Sequence, residues 1–486
     1  MTVLGALQPR EVFGFFETLA SIPRGSGNEK QVADWVVDFA HRRGLEATQD
    51  ALHCVLVRKP GCHGLEDASP LILHGHLDMV CEKEEGVEID FETEPIRLVV
   101  DGDLIAAEGT SLGADNGIGV SYILALLDST DVPHPPIEAV LTAMEEKGKV
   151  GAGQFDRSQL TGSRMIDFNW ITDKEILAGC SGDVTFLVDV PGELEASPTG
   201  SAVARLLKVR GLVGGHCEFD IHLERANALL VLARVLTKVL ESTDVRIAEP
   251  HGGAQNNAIP ADAEVVLVVD ESDVATLERI VAETGDDLRR EFDVSDPDIR
   301  LELEERDLPR EVFSAAATAR LARLTSLIPN GVLAWNLKVP DRVETSNNLG
   351  TIRTTEQGAR LMATITAART SRKHEVLDRV RSLAALAGGG VTVDQFGLDA
   401  PEFAYRPDSA MLRVASEAYR EVMGAEPNVE VSQCSLELGI FSNSLGLDTI
   451  SIGTELHDLH NPRETVNHRS VARVWPLVRE LVGRLG

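Results

Sequence analysis

Between residues 9 and 44 apolar side chains recur at helical spacing, first Val12, Phe15, Phe16 and Leu19, then Val32, Trp35, Val36 and Phe39. The turn-forming stretch PRGSGN at 23–28 separates the two runs, so the pattern predicts two opening helices. Short β-rich runs follow: CVLVRK at 54–59, PLILHGHLDMV at 70–80, LIAAEG at 104–109 and PIEAVLTAM at 136–144. GVSYILALLDS at 119–129 carries a helix between the last two. Strands and helices alternate, so residues 50–190 read as α/β with a mainly buried sheet.

From about 190 the grammar changes to strands alternating with amphipathic helices, such as 226–241 and 274–293. Gly-rich joints, GLVGGH at 211–216 and PHGGAQNNAIP at 250–260, punctuate this stretch, and a Gly triplet at 388–390 lies near its end. Helix, strand and helix return from 408 to 486. The expected architecture is an α/β domain with a mixed, mainly parallel sheet, formed by 1–187 and 396–486 and interrupted by an inserted α+β domain at 188–395. A length of 486 residues suits more than one core.

Composition narrows the function classes. Apolar residues make up 43% and charged residues 25%, as in globular chains, which sets disordered and fibrous classes aside. Asp and Glu number 77 against 46 Lys and Arg, a formal charge of −31 that repels phosphate backbones and anionic lipid, so neither nucleic acid nor membrane is an expected partner. The first residues lack the basic and continuous apolar regions of a signal peptide, and a cytoplasmic protein is expected. Cys54, Cys62, Cys81, Cys180, Cys217 and Cys434 form no C-x-x-C pair, which favours reduced thiols in the core.

Four short segments could carry chemistry. In HGHLD at 74–78 a strand puts His76 and Asp78 on one face, where a ligand imidazole and its supporting carboxylate could point together, or an ordinary structural pair could form. GTSLGADNG at 109–117 sets Asp115 just before a helix beginning near Ile118, as a cap or a cation ligand. AMEEKG at 143–148 ends an apolar strand with Glu145 and Glu146, either solvated loop charges or, if buried, a base and a ligand beside a cation. HDLHNPRETV at 457–466 follows the strand TISIG and offers His457 and His460. Each segment ends a predicted strand, the edge at which open α/β sheets bind ligands.

A rival chemistry sits in the second segment. Gly109 to Gly113 fits G-x-S-x-G between strand and helix, and Ser111, an Asp and His460 would keep the chain order of an α/β-hydrolase triad. That serine-hydrolase reading leaves His76, Asp78, Glu145 and Glu146 without a task.

Taken together these segments resemble the aminoacyl-histidine (Xaa-His) dipeptidases, a branch of the co-catalytic zinc peptidases that includes relatives of peptidase T and carboxypeptidase G. The resemblance runs in order through SIPRGSGNEKQVADWV, HGHLDMV, DGDLIAAEGTSLGADNGIGV, TAMEEKG, GLVGGH, GGAQNNAIP, PNGV, VETSNNLGTI and SIGTELHDLHNPRETV. Residues 261–325 share pattern without shared words. The resemblance implies a cytoplasmic homodimeric metallopeptidase that hydrolyses a dipeptide or a small N-acyl amino acid. It would carry one or two Zn²⁺ per chain, with Mn²⁺ or Co²⁺ as other candidates. By the same resemblance His76, Asp115 and an acidic residue of a later strand would hold one metal, while Asp115, Glu146 and His460 would hold the other. Asp78 would orient His76, and Glu145 would move the proton from water to the leaving amine. His216, Asn257 and Arg369 match lid positions that hold the oxyanion or the substrate carboxylate.

The chain departs from that pattern near the site. The metal-binding acid expected ten residues before Gly179 is Asn169, and the nearest carboxylates in sequence are Asp167 and Asp173. An amide oxygen can coordinate a cation but brings no charge. Gln433 stands where the family has a histidine four residues before Glu437, and Cys217, Glu218 and Phe219 replace small lid residues. Asn169 and Gln433 also motivate a competing reading, a non-hydrolytic family member that binds a small ligand or a partner.

Overall fold

In the computed structural model, which describes residues 2–337 and 339–486, the chain divides into two compact units. The first comprises the chain up to Cys180, Ala400–Ser432 and Leu436–Gly486; the second comprises Ser181–Asp399 with Gln433–Ser435. Against the pattern-based divides at 187/188 and 395/396, these lie at 180/181 and 399/400. The first falls inside one continuous strand, Glu175–Pro191. Leu177 of that strand pairs with Ser451, whereas Gly182 onward pairs with Gly358–Ala367, and nothing in the apolar pattern of a strand marks such a change of partner.

The first unit opens with helices Arg10–Ala20 and Lys30–Arg42. Their buried faces carry Val12, Phe13, Phe16 and Leu19, then Val32, Ala33, Val36 and Phe39. Phe15 and Trp35, which fit the same period, lie half-buried at the edge and pack on the Phe39 ring. The sheet runs in the order Glu46–Gln49, Val55–Lys59, Ile137–Thr142, Leu71–His76, Arg164–Trp170, Asp448–Gly453. Its first two pairings are antiparallel, and the next three, which unite residues from both ends of the chain, are parallel.

Both faces of this sheet are buried, as its near-continuous apolar runs require. Val55, Val57, Leu71, Leu73, Ala139 and Leu141 join the helices in one core, while Leu56, Ile72, Val140 and Met165 on the opposite face are buried too. The helix Ala114–Asp128 belongs to that core, and so does His468–Arg484 from the chain's end. The carboxyl ends of Leu71–His76, Ile137–Thr142, Arg164–Trp170 and Asp448–Gly453 therefore share an edge.

The second unit is an antiparallel sheet in the order Glu175–Pro191, Gly358–Ala367, Val343–Thr355, Arg246–Gly252, Ala263–Asp270, Ala202–Arg210, Arg300–Arg306. Helices Ala228–Leu240, Val274–Glu291, Ala315–Leu327 and Thr370–Ala387 supply the rest of its core. Asn227 caps the first of these by accepting from Leu229 N and Leu230 N. All six cysteines are free thiols. Among the described residues no helix is long and apolar enough to cross a membrane.

Candidate active site

Four segments far apart in sequence meet at the carboxyl edge of the first unit's sheet. His76 is the last residue of its strand and is buried; its Nε2 lies 3.0 Å from Asp115 Oδ1. Asp115 lies in the first turn of its helix, with non-helical φ and ψ, two residues past the N-cap Gly113. Its carboxylate faces the histidines, and the second oxygen, Oδ2, lies 3.3 Å from His460 Nε2. The same His460 nitrogen is 3.0 Å from Glu146 Oε1. His457, the other histidine of that loop, sits near Glu455 instead, 3.4 Å away.

Asp78 acts on both sides of the cluster. Its main-chain oxygen lies 3.2 Å from His76 Nδ1, closer than its carboxylate at 3.4 Å. The two carboxylate oxygens accept from Glu145 N at 3.0 Å and Glu146 N at 3.2 Å, and Ser26 Oγ donates to one of them at 2.7 Å. A fully buried carboxylate thus fixes the turn that presents the paired glutamates.

The charges in this pocket depend on one another. Burial works against a charged His76, but Asp115 and Asp78 raise its pKa well above the usual range. His460 behaves alike: burial opposes protonation, and Asp115 and Glu146 hold its pKa up at about 11. Burial also opposes ionisation of Asp115, yet the two imidazoles pull its pKa down. Burial and then the Glu146 charge push Glu145 well up, and burial raises Glu146 against the pull of His460.

This donor set fits a divalent cation. Ligand atoms of His76, Asp115 and Glu146 lie within 4.8 Å of one another. Glu146 Oε1 is buried without a hydrogen-bond partner although His460 Nε2 is 3.0 Å away, the approach of two groups sharing a cation. Imidazole and carboxylate are the donors that Zn²⁺, Mn²⁺ and Co²⁺ accept.

Comparison with known proteins assigns the chain to a family. Residues 207–295 match the model of the M20 peptidase dimerisation domain. The chain is 31% identical over 485 residues to the cytosol non-specific dipeptidase of Escherichia coli K12, covering 99% of both chains. The chain belongs to the M20 metallopeptidase family. Its fold also matches the aminoacylhistidine dipeptidase of Vibrio alginolyticus, with a TM-score of 0.82, 30% identity and 99% and 98% of the two chains covered. Aminopeptidase PepT of Bacillus cereus, 13% identical with a TM-score of 0.56 over 99% of each chain, shares the fold. The M20 assignment makes this chain a metal-dependent hydrolase.

Ser111 has no part in such chemistry. It is buried, its Oγ donates to Val80 O at 2.7 Å and accepts from Glu82 N at 3.1 Å, and so it closes a loop. The serine-hydrolase alternative is set aside.

Asn169, next to last in the strand Arg164–Trp170, has its Oδ1 accepting from Asn116 Nδ2 at 2.8 Å. Asp167 and Asp173 are engaged elsewhere. Asp167 pairs with His74 at 2.7 Å and accepts from Ser451 Oγ, and Asp173 pairs with Arg473 at 2.5 Å.

In the second unit, His216 and Asn257 lie together. His216 pairs with Ala258 across a short two-stranded ladder, and Cys217 N donates to Asn257 O at 2.7 Å. His216 Nδ1 accepts from Glu218 N at 3.2 Å, which leaves the ring hydrogen on Nε2. Arg369 sits at the head of helix Thr370–Ala387. Gln433 Nε2 donates to Ser346 Oγ at 3.0 Å, and Glu218 Oε1 accepts from Thr366 Oγ1 at 3.2 Å and Ser435 N at 3.3 Å.

Three site residues escaped the sequence reading. Buried Glu464 accepts from Leu112 N, Gly113 N and Asp115 N at 2.8, 2.9 and 3.2 Å, fixing the turn under Asp115. Buried Arg24 donates to Leu77 O at 2.9 Å, Asp78 O at 3.1 Å and Gly113 O. Glu29 accepts from Met144 N at 3.0 Å. All three lie inside quoted motifs, but a charged side chain that pairs with distant main chain leaves no local periodic signal.

Proposed function

We propose that this chain is a cytoplasmic metallodipeptidase that hydrolyses the amide bond of a dipeptide or related small N-acyl amino acid. The observation that carries the reading is the convergence of His76, Asp115, Glu146 and the more exposed His460, from four separate segments, on one cluster. These residues would hold the metal, with Zn²⁺ the first candidate and Mn²⁺ or Co²⁺ next. When bound, such an ion supplies polarisation of the scissile carbonyl and activation of water near neutral pH.

The chain's own residues supply the rest. Glu145 takes a proton from the attacking water and delivers it to the leaving amine; burial and the Glu146 charge raise its pKa, which strengthens it as a base. Asp78 positions Glu145 and Glu146 through their main-chain N–H groups and steadies His76. His216, Asn257 and Arg369 hold the oxyanion or the substrate carboxylate, a role that rests on the family resemblance. The matched dimerisation segment supports a homodimer, to be checked by light scattering on the eluting protein.

The test is a panel of dipeptides, Xaa-His among them, assayed with purified protein before and after chelation and after return of Zn²⁺, Mn²⁺ or Co²⁺. Hydrolysis should vanish with the metal and return with it. Hydrolysis that survives complete metal removal would sink the proposal, and metal-loaded protein that cleaves no dipeptide would favour the non-hydrolytic reading.

A further inference from the structure

Asn116 is buried, and two main-chain groups fix which way its amide faces. Its Oδ1 accepts from His76 N at 3.3 Å and its Nδ2 donates to Phe168 O at 2.8 Å. Turning the amide over would set oxygen against oxygen and N–H against N–H. The other Nδ2 hydrogen points to Asn169, whose Oδ1 lies 2.8 Å away. Asn169 therefore gives one lone pair of its oxygen to Asn116, which leaves for a cation one uncharged lone pair and the NH2 group. That group has two hydrogens and no lone pair for a metal. An aspartate here could satisfy Asn116 with one oxygen and keep a second, anionic oxygen for a cation.

Neither Asp167 nor Asp173 makes good the difference. Asp167 Oδ1 faces His74 Nδ1 at 2.7 Å, and its Oδ2 accepts from Asn169 N at 3.0 Å and from Ser451 Oγ. Asp173 Oδ2 takes Arg473 Nε at 2.9 Å and Nη2 at 2.5 Å. Both side chains are buried in these pairings.

We propose that the centre binds a single divalent ion tightly, on the set formed by His76, Asp115, Glu146 and His460, and that Asn169 is a neutral hydrogen-bond donor beside it. The second metal position implied by the family resemblance does not fit this chain. The inference rests on the metal-dependent reading above and adds a stoichiometry to it.

Metal-free protein is reloaded with Zn²⁺, freed of excess, and its zinc per chain measured by mass spectrometry and by calorimetric titration, with dipeptide hydrolysis followed in parallel. The wild type should retain about one zinc, Asn169→Ala about one, and Asn169→Asp about two. Two tight sites in the wild type overturn the proposal. So does an Asn169→Asp protein that melts like the wild type yet still holds one, or an Asn169→Ala protein that loses zinc the wild type keeps. If Asn169→Asp does not fold, the other two counts decide. A one-zinc wild type that cleaves no dipeptide would defeat the dipeptidase reading and leave the stoichiometry standing; a two-zinc enzyme that cleaves would do the reverse.

Discussion

At the end of strand Ile137–Thr142, burial and the Glu146 charge raise the cost of ionising Glu145, burial and Asp115 raise that of Glu146 against the pull of His460, and a buried Glu146 oxygen lacks a hydrogen-bond partner. At the end of Arg164–Trp170, on the same sheet edge, the side chains of Asp167 and Asn169 are matched, although Glu437 Oε1 behind them also lacks a hydrogen-bond partner. Asp167 has His74, Ser451 and Asn169 N; His74 reaches on to Glu437 at 3.1 Å; Asn169 has Asn116. Both ends bury acidic side chains, but at one Asp115 and Glu146 converge with two imidazoles, while at the other His74, Ser451 and a main-chain N–H already hold Asp167. Neither buried polar density nor one unpartnered oxygen thus marks a metal position; the convergence of several ligand atoms does.

The sharpest way to break the contrast is Glu145→Gln, which keeps the shape and removes the proposed base on the unmatched side. Loss of a general base typically costs ~10²–10⁴-fold, so kcat should fall by that much while zinc content stays constant. Near-normal turnover would remove Glu145 from the mechanism.

On the matched side the damage should fall on stability. His74→Ala strips a buried partner from Asp167 and Glu437, and breaking such a pair costs about 3 kcal/mol, the low end of its range, because Ser451 and Asn169 N still hold Asp167. Chemical denaturation would measure it, and an unchanged midpoint would show the network to be dispensable.

The same histidine gives a pH signature. Burial opposes its protonation, but Asp167 and Glu437 raise its folded-state pKa to about 9, above the ordinary histidine value of 6.5. A raised folded pKa stabilises fully below the unfolded value and is lost as pH climbs through the folded one. Stability of the metal-loaded enzyme should therefore fall as pH rises from about 6.5 through about 9. His74→Gln, which does not titrate, should flatten that slope; an identical slope would assign the effect elsewhere.

The smallest expected effect is Ser111→Ala. It removes hydrogen bonds inside a loop, about 1 kcal/mol by the usual worth of one, and should leave turnover near wild type. Abolished activity with normal metal content would bring the serine back into the chemistry.

Apolar period located the opening helices and the sheet strands because burial repeats along each element, and motif order identified His76, Asp115, Glu145, Glu146 and His460 as candidates. The same reading missed Arg24, Glu29 and Glu464, whose partners are main-chain atoms of other segments. It also left Asp115 between cap and ligand, since a helix start in sequence carries no information on what faces it.

The order of hydrophobic and polar residues by itself determined which elements form and which residue types reach the sheet's edge. Only the tertiary structure decided which of those polar groups satisfy one another. Asp167 and Asn169 look as available as Asp115 in the sequence, yet His74, Ser451 and Asn116 occupy them, while Asp115 and Glu146 converge with His76 and His460. The reason is that hydrogen bonds and Coulomb forces act through space over a few ångströms, and residues separated by hundreds of positions become neighbours only when the sheet has formed.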